Sequence, residues 1–247
     1  MDIYENETLD DLQLKGIRVI QKKADFRFGV DAVLLANFAE IKKGARVVDL
    51  CTGTGIIPFI ISGKKQPSYI NGLEIQKEIA DMASRSVKLN GLEDKINIIN
   101  GDLKDKNILK EMGKYDVVTV NPPYKKINSG IKSKETKISI ARHEISCTLE
   151  DVIIASKQLL KDKGKLYMVH RPERLCDIIC ILRKYKIEPK KIRMVHPYNN
   201  KAPNIMLIEA MNYGGEFLKI LPPLYIHNMD GNYTEEINMI YGRDTLE

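Results

Sequence analysis

The chain lacks any apolar run near the 18 or so residues that a membrane-crossing helix requires. Its opening, Met1-Asp2-Ile3-Tyr4-Glu5, is acidic and has no apolar stretch, so no signal peptide is expected. Cysteine is scarce: Cys51, Cys147, Cys176 and Cys180 contain no Cys-x-x-Cys pair, which removes the usual zinc and redox motifs. Cys176 and Cys180 stand four apart in a helical pattern and read as two small apolar residues on one face. No metal is expected, and the compartment is expected to be reducing, the cytoplasm. Repeats, low-complexity tracts and an interdomain linker are also absent. What remains is ordinary for a globular chain: 247 residues, 43% hydrophobic and 29% charged. That length buries a full core, and one domain over residues 1–247 is expected, with a short extension at 1–45 and a tail at 213–247. The net charge of +6 permits a polyanionic partner without requiring one.

Short apolar runs alternate with helical stretches. Strands are expected at Arg46–Leu50, Tyr69–Glu74, Lys95–Asn100, Tyr115–Val120 and Lys165–His170. Helices are expected at Ile56–Ser62, Gln76–Leu89, Leu149–Leu160 and Arg171–Tyr185, with Asn90-Gly91 stopping the second. Two extended runs, Ile187–His196 and Ile205–Ala210, close the pattern. Ahead of it lie an alternating segment, Leu12–Gln21, and a helix near Ala32–Phe38. Alternation of this kind argues for an α/β fold, with a mostly parallel sheet covered by helices on both faces. The last two runs have no helix between them, which adds an antiparallel strand at the edge. The expected architecture is a Rossmann-like, seven-stranded sheet.

One glycine turn is incomplete in an informative way. Asp49-Leu50-Cys51-Thr52-Gly53-Thr54-Gly55 follows a strand and opens a helix, where a ligand approaches the backbone closely. The dinucleotide pattern G-x-G-x-x-G needs a third glycine where Pro58 stands. A cofactor without a pyrophosphate is therefore favoured. Glu74 ends the second strand of this series, where a carboxylate can accept hydrogen bonds from ribose hydroxyls. Asp102 follows the third, and can accept from an adenine amino group with Leu103 against the ring. Taken singly, Glu74 is equally a solvated strand end, and Asp102 a turn-forming Gly-Asp pair. Together the three features sit at the carboxyl ends of successive strands, and the chain resembles the class I S-adenosylmethionine methyltransferases. That resemblance implies that Asp49, Gly53 and Gly55 surround the methionine part, Glu74 the ribose, and Asp102 and Leu103 the adenine.

The fourth strand runs into Asn121-Pro122-Pro123-Tyr124. Two prolines end the ladder and fix a rigid turn. The Asn121 side-chain oxygen and the Pro122 carbonyl can both accept hydrogen bonds from an exocyclic amine, and so localise its lone pair for attack. Tyr124 can stack on a flat target, a contact that contributes about 1–3 kcal/mol. The motif specifies the atom, an amino nitrogen, more than the substrate. Similar motifs occur in enzymes acting on adenine in DNA or RNA, on guanine in ribosomal RNA and on protein glutamine. A non-catalytic RNA-binding relative is a further alternative.

The stretch after the motif favours nucleic acid. Between Lys125 and Arg142, the cations Lys125, Lys126, Lys132, Lys134, Lys137 and Arg142 face a single acid, Glu135. Phosphate contacts dominate nucleic-acid affinity, although a solvated charged loop has the same composition. Phe26 to Ala36, Asn121 to Tyr124, Ala141-Arg142-His143-Glu144, Pro197 to Ala210 and Gly214-Gly215 together resemble the bacterial tRNA1(Val) adenine-N6 methyltransferase group. The resemblance implies an adenine beside the anticodon as target, Phe28 and Asp31 beside the cofactor, and His143 near the target. Read from the sequence alone, Asp31 is equally a helix N-cap. The expected substrate contacts are Lys125, Lys126, Lys132, Lys134 and His143. The tail from Phe217 to Tyr241 is expected to pack on the core.

Overall fold

The computed structural model describes residues 3–23, 29–123 and 147–243. Strands β1 (Glu7–Asp11) and β2 (Arg18–Lys22) form an antiparallel hairpin. The core follows as α1 (Val30–Phe38), β3 (Arg46–Leu50), α2 (Ile56–Lys64), β4 (Tyr69–Glu74), α3 (Lys77–Leu89), β5 (Ile96–Asn100), α4 (Lys106–Met112) and β6 (Tyr115–Val120). After the region outside the described residues come α5 (Leu149–Leu159), β7 (Leu160–His170), a 3-10 turn (Pro172–Arg174), α6 (Leu175–Lys184), β8 (Ile187–His196) and β9 (Ile205–Asn212). The tail adds β10 (Lys219–Ile220), β11 (Leu224–Tyr225) and α7 (Glu235–Tyr241).

The main path of the sheet reads β10-β8-β9-β7-β6-β3-β4-β5, with β11 also paired to β8. Strands β3 to β7 are parallel, and β9 runs antiparallel to both neighbours. Two reversals make β8 parallel to β7. The expected antiparallel strand is thus present, but it lies one place in from β8. Two two-residue strands of the tail then cover part of β8, a common way to blunt an exposed edge.

Successive strand residues point to opposite faces, and each face has its own core. Val47, Ile70, Val117, Tyr167 and Leu207 pack under α1, α2 and α7. Val48, Leu73, Val118, Met168 and Ile208 pack under α4, α5 and α6. Local signals set the element ends. Asp105 caps α4 by accepting from the Asn107 amide at 2.8 Å, and Thr148 and Asp151 form a reciprocal capping box at α5. Pro58 lies in the first turn of α2, where its missing N–H leaves no intrahelical bond unmade.

Some expectations shift. The helix read at Arg171–Tyr185 begins as the 3-10 turn, and the strand read from Lys165 begins at Leu160. The alternating segment at Leu12–Gln21 is a turn followed by most of β2, and its partner β1 was not expected. Helices α4 and α7 were likewise not anticipated. The tail packs as expected, with Leu224, Ile226 and Ile237 buried.

Gly72 of β4 is a point of close approach. A Cβ there would fall 2.9 Å from Thr52 Cγ2, Thr52 Oγ1 and Ile98 Cδ1. Gly72→Ala is therefore expected to destabilise the protein by about 1–3 kcal/mol through overpacking, and to disturb the turn that carries Thr52. A denaturant melt measures the first effect; an unchanged midpoint contradicts it.

Candidate active site

The carboxyl ends of β3, β4, β5 and β6 open at one edge of the sheet, the usual ligand position in such folds. The turn after β3 is unusual in its backbone. Cys51, Gly53 and Gly55 all have positive φ, at 55°, 57° and 85°. For Cys51 this is a sparsely populated conformation, held by its surroundings. The Thr52 amide donates to the Leu73 carbonyl at 3.0 Å, and the Gly53 amide donates to Glu74 Oε2 at 3.0 Å. The turn is thereby fastened to the end of β4.

Asp49 supports this turn from within. It is fully buried. Its two oxygens accept from the Thr52 hydroxyl at 2.7 Å and the Thr119 hydroxyl at 2.6 Å. Burial, opposed by these two bonds, pushes its carboxyl up to about 7. Asp49 is absent from the cleft wall; its side chain holds the turn that borders the cleft.

A cleft of about 250 Å³ lies beyond the turn, lined by Gly53, Glu74, Asp102, Leu103, Asn121 and Cys147, among others. A second opening of about 350 Å³ adjoins it, sharing Cys51, Gly53, Gln76 and Asn121 and reaching Gly29 and Ala32. Glu74 is buried; besides the Gly53 amide, it accepts from the Gln76 amide at 2.9 Å. An ionised carboxylate has about four acceptor sites, so acceptor capacity remains for a ligand hydroxyl. Asp102 accepts from the Lys104 amide at 2.9 Å, which fixes its turn. Leu103 supplies an apolar wall beside it. Gly101 immediately precedes them: a Cβ there would come within 2.7 Å of Ile108 Cδ1.

At the other wall, β6 delivers Asn121. Pro122 behind it is buried, whereas Pro123 is exposed. Asn121 lines both openings. The structure thus brings Gly53, Glu74, Asp102, Leu103 and Asn121 to one cleft, whereas Asp49 and Gly55 line neither opening: Asp49 holds the turn from within, and a Cβ at Gly55 would meet Phe59 Cε2 at 3.1 Å. Asp31 lies in the first turn of α1, whose N-cap is Gly29; this corrects the N-cap reading. Phe28, Tyr124, Lys125, Lys126, Lys132, Lys134 and His143 lie outside the described residues, as does Glu144.

Cleft residues that the sequence reading missed are Cys51, Ile75, Gln76 and Cys147. Gln76 had a usable signal, two residues past the strand-end acid. Cys147 had none. The Cys51 thiol is held well above its ordinary range by a hydrogen bond with the Cys147 thiol and by burial. It stays protonated at neutral pH, which makes it a poor nucleophile.

Two buried groups give a pH test with opposite signs. Asp49 holds its proton in the folded chain up to about 7. Unfolded, it releases the proton near 3.9, so it weakens folding as pH rises through that interval. His170, pushed down to about 4 chiefly by burial, stays neutral while the unfolded chain takes up a proton. It therefore strengthens folding as pH rises toward its ordinary value. Asp49→Asn removes only the first effect. Its melting temperature is expected to gain on that of the parent protein from about pH 4 upward and to level off above about 7. A gap that does not change with pH contradicts the assignment.

Residues 27–184 match the model of the methyltransferase small domain. The chain belongs to this methyltransferase family. A tRNA1(Val) (adenine(37)-N6)-methyltransferase from Parabacteroides distasonis is 27% identical over 201 residues, covering 80% of this chain and 81% of the relative. One of the same name from Porphyromonas gingivalis is 26% identical over 235 residues, covering 92% and 91%. Among solved structures, a predicted O-methyltransferase from Agrobacterium tumefaciens superposes with a TM-score of 0.70 at 20% identity, covering 86% of this chain and 96% of that one. Methanocaldococcus jannaschii Trm5 in complex with adenosine gives 0.60 at 16% identity, covering 86% and 57%. These two likenesses concern the fold. Among the described residues, no helix is long and apolar enough to cross a membrane, and no group of three or more potential metal ligands occurs.

Proposed function

We propose that this methyltransferase uses S-adenosylmethionine to methylate the exocyclic N6 amine of an unpaired adenine in tRNA, near the anticodon, in the cytoplasm. The observation that carries the reading is the opening of Asn121 into the cleft that also holds Glu74, Asp102 and Leu103. A nucleoside fits that wall by its chemistry. Glu74 accepts from the ribose hydroxyls, Asp102 accepts from the adenine amine, and Leu103 packs on the ring. Gly53 keeps a side chain away from the methionine part, and Gly55, at φ 85°, permits the turn that opens α2. When bound, S-adenosylmethionine supplies an electrophilic methyl group.

The protein's own residues prepare the nucleophile. An adenine amine is weakly nucleophilic, because its lone pair is delocalised into the ring. Asn121 Oδ1 and the Pro122 carbonyl accept its two N–H bonds, which draws the nitrogen toward a tetrahedral shape and localises the lone pair. Fixing that geometry can contribute on the order of 7–11 kcal/mol to rate acceleration. Tyr124 stacks on the target ring, and Lys125, Lys126, Lys132, Lys134 and His143 contact the RNA beside it. Phe28 and Asp31 stand on the cofactor side. An anticodon loop suits this chemistry, since its bases are already partly unpaired and cost little to extrude. The names borne by the two bacterial relatives support adenine and tRNA as the choice.

The test offers labelled S-adenosylmethionine with unmodified total tRNA, ribosomal RNA or protein extract. Label is expected in the tRNA fraction. Label confined to ribosomal RNA or protein overturns the substrate class.

A further inference from the structure

The tail and the β8–β9 connection together carry a row of aromatic rings that the proposed chemistry leaves unused. Tyr198, just past β8, stacks on His227 with centroids 5.2 Å apart and 28° between planes. His227 stacks on Tyr233 at 5.1 Å and 23°, and Tyr233 on Tyr241 at 5.8 Å and 14°. Arg243 lies over the last two rings, at 5.6 and 5.2 Å. Main-chain bonds build the row. Strand β11 pairs with Val195 and His196, the His227 amide donates to the Pro197 carbonyl at 3.0 Å, and His227 bridges to Tyr233.

Tyr233 and Tyr241 pack partly against the core and help anchor the tail, whereas Tyr198 and His227 are not among the core-packed residues. Leu224, Ile226 and Ile237 are buried, whereas all four rings of the row stay partly accessible. The row also sits at the working edge. In the sheet register His170 lies opposite Met206, and Met206 opposite Met194, so β7 and β8 end at the same edge as β6. Three strand spacings of about 4.8 Å put β8 roughly 14 Å from the strand that delivers Asn121. Next to Tyr198, Asn199, Asn200 and Lys201 are exposed. Stacking faces, amide groups and cations together match unpaired bases and their phosphates. The row lies beyond residues 27–184, the part that matches the family model.

We infer that this row is a docking platform for unpaired bases next to the methylated one. A flanking base stacks on Tyr198, Asn199 and Asn200 face base edges, and Lys201 takes a phosphate. His227, Tyr233 and Tyr241 hold Tyr198 in place, as a pile of rings braced at one end by Arg243. The inference rests on the RNA reading above.

The test is fluorescence anisotropy of the full chain with two labelled probes, an RNA stem-loop and a fully paired RNA duplex of the same composition. Tyr198→Ala is expected to weaken stem-loop binding on the order of tenfold, the loss of about one stacked base. Duplex binding should stay unchanged, and Tyr198→Phe should retain stem-loop affinity. Equal stem-loop affinity for the parent protein and Tyr198→Ala overturns the platform, and so does an equal loss on both probes. Methyl transfer separates this from the reading it rests on. Tyr198-dependent binding without transfer to any RNA keeps the platform and sinks the catalytic assignment. Transfer to tRNA with an unchanged KM in Tyr198→Ala does the reverse.

Discussion

Asn121→Ala is expected to lower kcat by a factor on the order of 10²–10³, the usual cost of removing one preorganised hydrogen-bond partner of a transition state. Cofactor affinity should change little, because Glu74, Asp102 and Leu103 form the opposite part of the cleft. Alanine removes the Oδ1 acceptor while Pro122, buried behind it, keeps the turn in place. Asn121→Asp retains an acceptor oxygen and should keep more activity than the alanine variant. The decisive pattern is a fall in kcat with cofactor binding intact, measured by single-turnover transfer alongside calorimetry. A variant that keeps full kcat shows that the turn is structural only.

The second large effect is expected at Glu74. A hydrogen bond to a charged group contributes about 1.5–3 kcal/mol. Glu74→Ala should therefore weaken S-adenosylmethionine binding by about one to two orders of magnitude. The loss has two sources. The ribose hydroxyls lose an acceptor, and the Gly53 amide loses the Oε2 partner that holds it at 3.0 Å. Glu74→Gln keeps one acceptor oxygen and the shape of the side chain, so it should fall between the two. Titration calorimetry reads the series directly. Equal affinity across all three proteins contradicts the ribose assignment.

Much of this site was legible in the sequence because local chemistry dictates it. The strands Tyr69–Glu74, Tyr115–Val120 and Ile187–His196 have the bounds their apolar runs predict. Glycines after β3 and prolines after β6 mark where the chain must turn, and those turns face the cleft. Long-range placement was not legible. Nothing local in Ile205–Asn212 says that it inserts between β7 and β8. β1 is Glu-Thr-Leu-Asp-Asp, a polar segment that reads as a loop. Its Glu7 is buried with partners that include Arg85 of α3, through an Nη1 bond of 2.9 Å, and the Tyr4 amide at 3.0 Å. The start of β7 hides in Lys161-Asp162-Lys163-Gly164, a turn-like sequence. It continues the strand through a register shift opposite Tyr115–Val117. The burial of Asp49 belongs to the same class. The family resemblance implied a ligand contact for it, whereas tertiary packing turned its carboxylate toward Thr52 and Thr119.

The measurement that tests the central claim most directly is nucleoside mass spectrometry of unmodified tRNA after reaction with the protein and S-adenosylmethionine. The account predicts a gain of N6-methyladenosine that disappears with Asn121→Ala. N2-methylguanosine, or methyl groups on protein with none on RNA, would contradict it.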